Sequence, residues 1–380
     1  MANLLDYLTW RGDLPFKLAP FNDVDALILS RLSYAPFEGI VSEAFNGECV
    51  SIKFAAERLI DLTGGETPGR SFRIEEDADL MRALINSERF APLLLTGYVN
   101  RLDTAQEKLF SAVTVLLQKD EFFVAFRGTD GTLVGWKEDF NMGFEEVVPA
   151  QYDAAAYLAE AAKNLKGSIR VGGHSKGGNL AVYASAFCDK RIQKRILRVN
   201  NNDGPGFSAK SIATEGFAQI LPRVRTYVPQ SSVVGMLLEH EEDYSVIHST
   251  NSGLMQHDMY SWEVVRDGFV NVGSTTNSSQ FIDMALKDWM SNMPADLREK
   301  LIDGVYSVIS SADAHTLREL WSGKNTITIL KGLRSLDDET RELMGQAFDI
   351  FKQSLKKSLP VMMDMLPFPT RKKERLPSAE

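Results

Sequence analysis

Residues 168–188 place a short β-rich run ending in glycine, one serine between two glycines, and a helix-forming run in direct succession. The centre of this segment reads Gly173-His174-Ser175-Lys176-Gly177. A chain that passes from strand to helix with no loop between them must turn sharply at one residue, and that turn strains the backbone there. Glycines are needed two positions to either side, because a Cβ at those places would crowd the neighbouring elements. Such a turn lifts the serine Oγ off the sheet and sets it at a helix N-terminus, where unpaired N–H groups and the helix dipole favour negative charge. Ser175 is therefore a candidate nucleophile, and the Lys176 N–H a candidate oxyanion donor.

The flanking pattern supports that geometry. Residues 109–117 and 122–126 read as a hairpin about the polar Gln118-Lys119-Asp120-Glu121, and further strands are expected at 168–171, 196–200, about 223–229 and up to His248. Helices are expected at 23–32, 77–85, about 150–165 and 176–188. Strands that alternate with helices imply an α/β fold with a mostly parallel sheet covered on both faces. After about Asn277 the pattern changes: apolar residues recur at helical spacing over 281–290, 297–309, 317–333 and 338–355. The expected division is a main domain over 1–275, a helical extension over 276–366 and a frayed tail over 367–380.

A serine hydroxyl needs a base near neutral pH, and the chain has five histidines. His174 adjoins the nucleophile and should point away from it. His240 lies in an acidic run expected to be solvated, His248 falls in a strand, and His315 belongs to the helical extension. His257 remains, in a turn-like segment downstream of the core strands, where the order serine, acid, histidine places the base. Asp203, in Asn201-Asn202-Asp203-Gly204-Pro205-Gly206, follows the strand after the elbow helix and so lies at the carboxyl edge of the sheet. It is the candidate acid, although Asp-Gly-Pro-Gly is also a common turn in which the aspartate caps its own backbone.

Phe126-Arg127-Gly128-Thr129, followed by Trp136 and Asp139, resembles the segment before the elbow in the class 3 (fungal-type) lipases, and His257-Asp258-Met259-Tyr260 is similar to the His-x-x-Tyr at the end of their triad. The whole segment 1–265, opening on Asn3-Leu4-Leu5-Asp6-Tyr7, is similar to a bacterial family of uncharacterised lipase-like α/β-hydrolases. The resemblance implies an α/β-hydrolase fold, a second oxyanion N–H from Thr129, and structural roles for Arg127, Trp136 and Asp139, with an ion pair expected between Arg127 and Asp139. One departure stands out. Class 3 lipases take their acid from a later strand, and the comparable Pro229-Gln230-Ser231-Ser232-Val233-Val234-Gly235 has no carboxylate, so either Asp203 supplies it or the triad is incomplete.

Composition narrows the partners. A formal charge of −9 argues against nucleic acid, which demands a broad basic surface. Cys49 and Cys188 are the only cysteines and lack metal-type spacing, so neither a disulfide framework nor a bound metal is expected, and a reducing, cytoplasmic setting fits. Residues 1–10 do not read as a secretion signal, and no run approaches a membrane span, which leaves peripheral membrane contact open. No cofactor is implied. The expected activity is hydrolysis of a small ester or a lipid by Ser175, His257 and Asp203, with a non-catalytic scaffold and an acyltransferase as alternatives on the same residues. The apolar stretches 233–238 and 254–259 are candidates for lining an acyl site.

Overall fold

The computed structural model describes residues 1–64, 74–118, 120–130, 133–142, 145–238, 240–294, Leu297, Lys300, Leu301, Asp303, Gly304 and 338–365. Eight strands lie side by side in chain order: β1 (Val50–Ser51), β2 (Leu94–Asp103), β3 (Lys108–Gln118), β4 (Glu121–Phe126), β5 (Ser168–His174), β6 (Ile196–Asn202), β7 (Val224–Pro229) and β8 (Tyr244–Ile247). The first four run antiparallel to their neighbours, and β4 to β8 are parallel. A small antiparallel ribbon, β9 (Val264–Val265) with β10 (Gly268–Phe269), lies beyond them.

Between the parallel strands run the crossover helices α5 (Leu133–Asn141), α6 (Pro149–Asn164), α7 (Lys176–Phe187), α8 (Lys190–Gln193), α9 (Ala209–Ile212) and α10 (Glu215–Ile220). Parallel strands joined in sequential order by right-handed crossovers put all their helices on one face of the sheet. Accordingly Leu158, Leu180, Val182 and Phe217 of α6, α7 and α10 pack with Phe122, Val124 and Phe126 of β4 in one core. The alternate residues Phe123 and Ala125 point to the other core, as the period of two requires.

That second face is closed by the N-terminal helices α1 (Leu4–Arg11), α2 (Asp23–Leu32), α3 (Ile52–Thr63) and α4 (Ile74–Ile85). Asn22 caps α2 by accepting from Val24 N and Asp25 N, and the Asp25 carboxylate returns to Asn22 N at 2.8 Å. The same carboxylate receives Arg89 Nη2 at 2.5 Å with both side chains fully buried, which ties α2 to the turn before β2.

The hairpin, the elbow strand and the helix at 23–32 stand where sequence places them. With β1, α1 and α3, strand β2 is among the elements that sequence did not suggest. Gly97 interrupts its alternation, with φ +65° beside the register shift between Thr96 and Val99. The extension enters as α11 (Asn277–Asn292) and α12 (Asp338–Met365), which pack together through Trp289, whose Nε1 donates to Ala347 O at 2.9 Å. The expected helices at 297–309 and 317–333 and the tail at 367–380 lie largely or wholly outside the described residues. Among the described residues no helix is long and apolar enough to cross a membrane.

Candidate active site

Ser175 sits between β5 and α7 with φ 58° and ψ −131°, a conformation that costs a non-glycine residue on the order of 1–3 kcal/mol. The neighbours hold it there. Ser175 N donates to Asn202 O on β6 at 2.9 Å, and Gly178 N donates back to Ser175 O at 2.8 Å. A Cβ on Gly173 would come within 2.2 Å of the Gly177 backbone, and one on Gly177 within 2.2 Å of Phe126 O, so both positions exclude side chains by contact. Lys176 opens α7, so its N–H is one of the first four that find no acceptor inside the helix.

Asp203 follows β6 directly and takes the left-handed conformation, φ 54°, which aspartate tolerates better than most residues. Its own N–H donates to Tyr227 O of β7 at 2.8 Å. The side chain is fully buried and divides its two oxygens: Oδ2 meets His257 Nδ1 at 2.6 Å, and Oδ1 accepts from the Ser232 hydroxyl at 2.5 Å. A carboxylate only accepts, so the His257 proton lies on Nδ1 and Nε2 keeps its lone pair. His257 ends a 3-10 turn (Gly253–His257) fixed by Gln256, which accepts from Ser231 N at 2.7 Å and donates to Asn251 O at 2.8 Å. Ser175 is 9% exposed, and its Oγ makes no hydrogen bond to His257 among the described residues. Such contacts are often long before substrate binds.

The loop after β4 lies against the elbow. A Cβ on Gly128 would stand 2.3 Å from the Tyr34 hydroxyl, 2.5 Å from His174 O and 3.1 Å from Ser175 Cβ, so only glycine fits. The next residue, Thr129, donates its hydroxyl to Asp139 Oδ1 at 2.6 Å. Burial pushes the Asp139 carboxyl up to about 6, against the opposing pull of Lys176 and the Thr129 hydroxyl. The expected ion pair between Arg127 and Asp139 does not form. Arg127 Nη2 instead reaches Asn100 Oδ1 at 2.9 Å and Asp130 Oδ2 at 3.4 Å, so its anionic partner is the aspartate three residues on, while Asp139 Oδ1 accepts from Thr129. The Trp136 side chain lies outside the described residues.

Several residues at the site went unread in the sequence. The Lys176 side chain turns inward and joins Glu138 at 2.6 Å, and Glu138 also accepts from Leu109 N and Ala150 N, each at 3.0 Å. Ser232 stands in the very stretch that lacks a carboxylate, and it serves Asp203 as a donor instead. Its carbonyl in turn accepts from Ser279 Oγ of α11 at 2.5 Å. A serine that donates to a buried acid has no local pattern to announce it.

His174 lies beside His257, and the other three histidines fall elsewhere. His240, expected in a solvated run, is buried with Nδ1 3.1 Å from Glu242, itself held by the Thr226 hydroxyl. His248 pairs with Glu263 at 2.7 Å, and His315 lies outside the described residues. Of the candidate acyl-lining stretches, Met236 packs with Val228 and Val246 and Met259 is buried, whereas Val233, Val234, Leu237 and Leu238 are half-buried and Met255 is exposed. Among the described residues no group of three or more His, Cys, Asp or Glu side chains is arranged to hold a metal ion.

Fold and site together define an α/β protein with a mostly parallel eight-stranded sheet and a serine turn beside an aspartate–histidine pair. Residues 84–307 match the family described as Mbeg1-like, and the chain belongs to that family. Among solved structures it is similar to one titled as a crystal structure of M37 lipase, at 13% identity and TM-score 0.38, over 57% of this chain and 70% of that one. That likeness is too loose to carry an argument. No curated protein matches the chain.

Proposed function

We propose that this protein is a serine hydrolase of the α/β-hydrolase type that cleaves a carboxylic ester through an acyl-enzyme. The observation that carries the reading is the 2.6 Å contact between His257 Nδ1 and Asp203 Oδ2, two residues 54 positions apart, at the edge of the sheet that holds the Ser175 turn. Ser175 Oγ attacks the ester carbonyl while His257 Nε2 takes its proton. The oxyanion that forms is held by the N–H groups of Lys176 and Thr129; the Thr129 hydroxyl is engaged by Asp139 and adds no donor while that carboxyl is ionised. Collapse expels the alcohol, which receives the proton from His257, and water repeats the sequence to release the acid. Asp203 holds the imidazole tautomer and stabilises the imidazolium, and the chemistry calls on no metal or cofactor.

The resemblance to class 3 lipases suggests a lipid or acylglycerol as substrate, met in a cytoplasmic setting. The experiment is a series of p-nitrophenyl esters of increasing acyl length, with Ser175→Ala and His257→Ala in parallel. Turnover in the wild type that disappears in both folded variants supports the reading, and the chain-length profile then separates lipid-like from short esters. Turnover that survives in both variants removes Ser175 and His257 from the mechanism.

A further inference from the structure

The loop that carries His257 is gripped from the N-terminal side by residues that no step above uses. The His174 imidazole lies 4.5 Å, centroid to centroid, from the His257 ring. Its Nε2 is 2.8 Å from the His257 carbonyl oxygen, and its Nδ1 is 3.2 Å from the Tyr34 hydroxyl. A carbonyl only accepts, so His174 carries its proton on Nε2, and Nδ1 must accept from Tyr34. Both groups are suited to these roles: burial, and then the adjacent His257, hold the His174 imidazole well below its ordinary value, and burial pushes the Tyr34 phenol up to about 12.

Tyr34 is itself fixed. Arg31 lies over its ring at 4.6 Å and over the Tyr260 ring at 5.3 Å, and pairs with Asp77 at 2.6 Å. Tyr260, three residues after His257, donates to the same Asp77 at 2.7 Å. The segment from His257 to Tyr260 is thus held by α2, the residues just after it, and α4. All of these N-terminal residues precede position 84, where the family match begins.

We infer that Tyr34 and His174 are positioning residues for His257: the Tyr34 hydroxyl donates to His174 Nδ1, and His174 Nε2–H donates to the His257 carbonyl, setting the height and tilt of the base. The inference rests on the hydrolase reading. It also gives the N-terminal segment a part in the site, because Tyr34 touches Gly128 of the loop after β4 as well as His174 of the elbow.

Tyr34→Phe keeps the ring under Arg31 and removes only the hydroxyl. His174→Gln keeps an N–H donor and an acceptor, whereas His174→Leu keeps neither. Each variant is assayed for ester kcat and KM, for the rate of fluorophosphonate labelling, and for thermal midpoint. Misplacing a base by less than an ångström costs on the order of 10-fold to 100-fold in rate, so kcat and the labelling rate should fall about 10-fold or more in Tyr34→Phe and His174→Leu. KM should stay within about twofold, and His174→Gln should recover most of the loss. Unchanged kcat in Tyr34→Phe overturns the inference. So does a loss in His174→Leu that His174→Gln fails to recover and that tracks the thermal midpoint, which is the behaviour of plain packing. A wild type that neither turns over esters nor takes the probe is a different failure, that of the hydrolase reading itself.

Discussion

Asp203 and His257 meet at 2.6 Å although the acid follows β6, and the later loop at 229–235 contributes a serine and no carboxylate. The acid role has a direct consequence. Asp203→Asn offers Nδ1–H no charged acceptor and, through its amide N–H, allows the other tautomer, so kcat for ester turnover should fall by up to ~10⁴ with the fold retained. Steady-state kinetics beside a circular dichroism melt check this; near-normal turnover removes Asp203 from the mechanism.

Ser232 supplies the second hydrogen bond to that carboxylate. In Ser232→Ala the buried Oδ1 loses its donor, which should cost about 1–3 kcal/mol of stability. The freed carboxylate should also loosen its hold on His257 and lower kcat about tenfold. Urea denaturation and kinetics on the same preparation measure the two effects, and a variant equal to wild type in both shows that the contact is dispensable.

Lys176 contributes two different things: its N–H to the oxyanion site and its side chain to Glu138. Lys176→Met retains the N–H but leaves Glu138 as a buried charge without its cation, a loss of about 3–5 kcal/mol. Adding Glu138→Gln should return part of that loss, since the uncompensated charge is then gone. Denaturant melts of the single and double variants decide it; a double variant weaker than the single contradicts the pair.

Asp139 has a carboxyl raised to about 6 by burial, above its ordinary value. The folded protein therefore binds this proton more tightly than the unfolded chain, and this group's contribution to stability is lost as pH rises from about 4 through 6. Asp139→Asn removes the ionisation, so its stability relative to wild type should rise across that window and level off above it. Thermal midpoints of both proteins from pH 4 to 8 test the sign, and a constant difference would falsify the assignment.

The elements that position the site were legible because each carries a local rule. The 173–177 pattern demanded a sharp strand-to-helix turn, and Ser175 takes the strained φ that such a turn needs. His257 and Asp203 were reached by chain order and strand-end position, and the structure sets them against each other. What escaped was tertiary. The inward Lys176 side chain, the Ser232 donor and the Tyr34 and His174 grip depend on partners 38, 29 and up to 140 residues away, and no periodicity encodes such pairings. The expected ion pair of Arg127 with Asp139 failed for a related reason: Asp130, which the sequence reading passed over, takes the arginine, and Asp139 accepts from the Thr129 hydroxyl.

The most direct test of the central claim is intact-mass analysis of the purified protein after exposure to a fluorophosphonate, in parallel with Ser175→Ala. The account predicts a single adduct on the wild type and none on the variant. A folded wild type that takes no adduct, or an adduct that persists in Ser175→Ala, would contradict it.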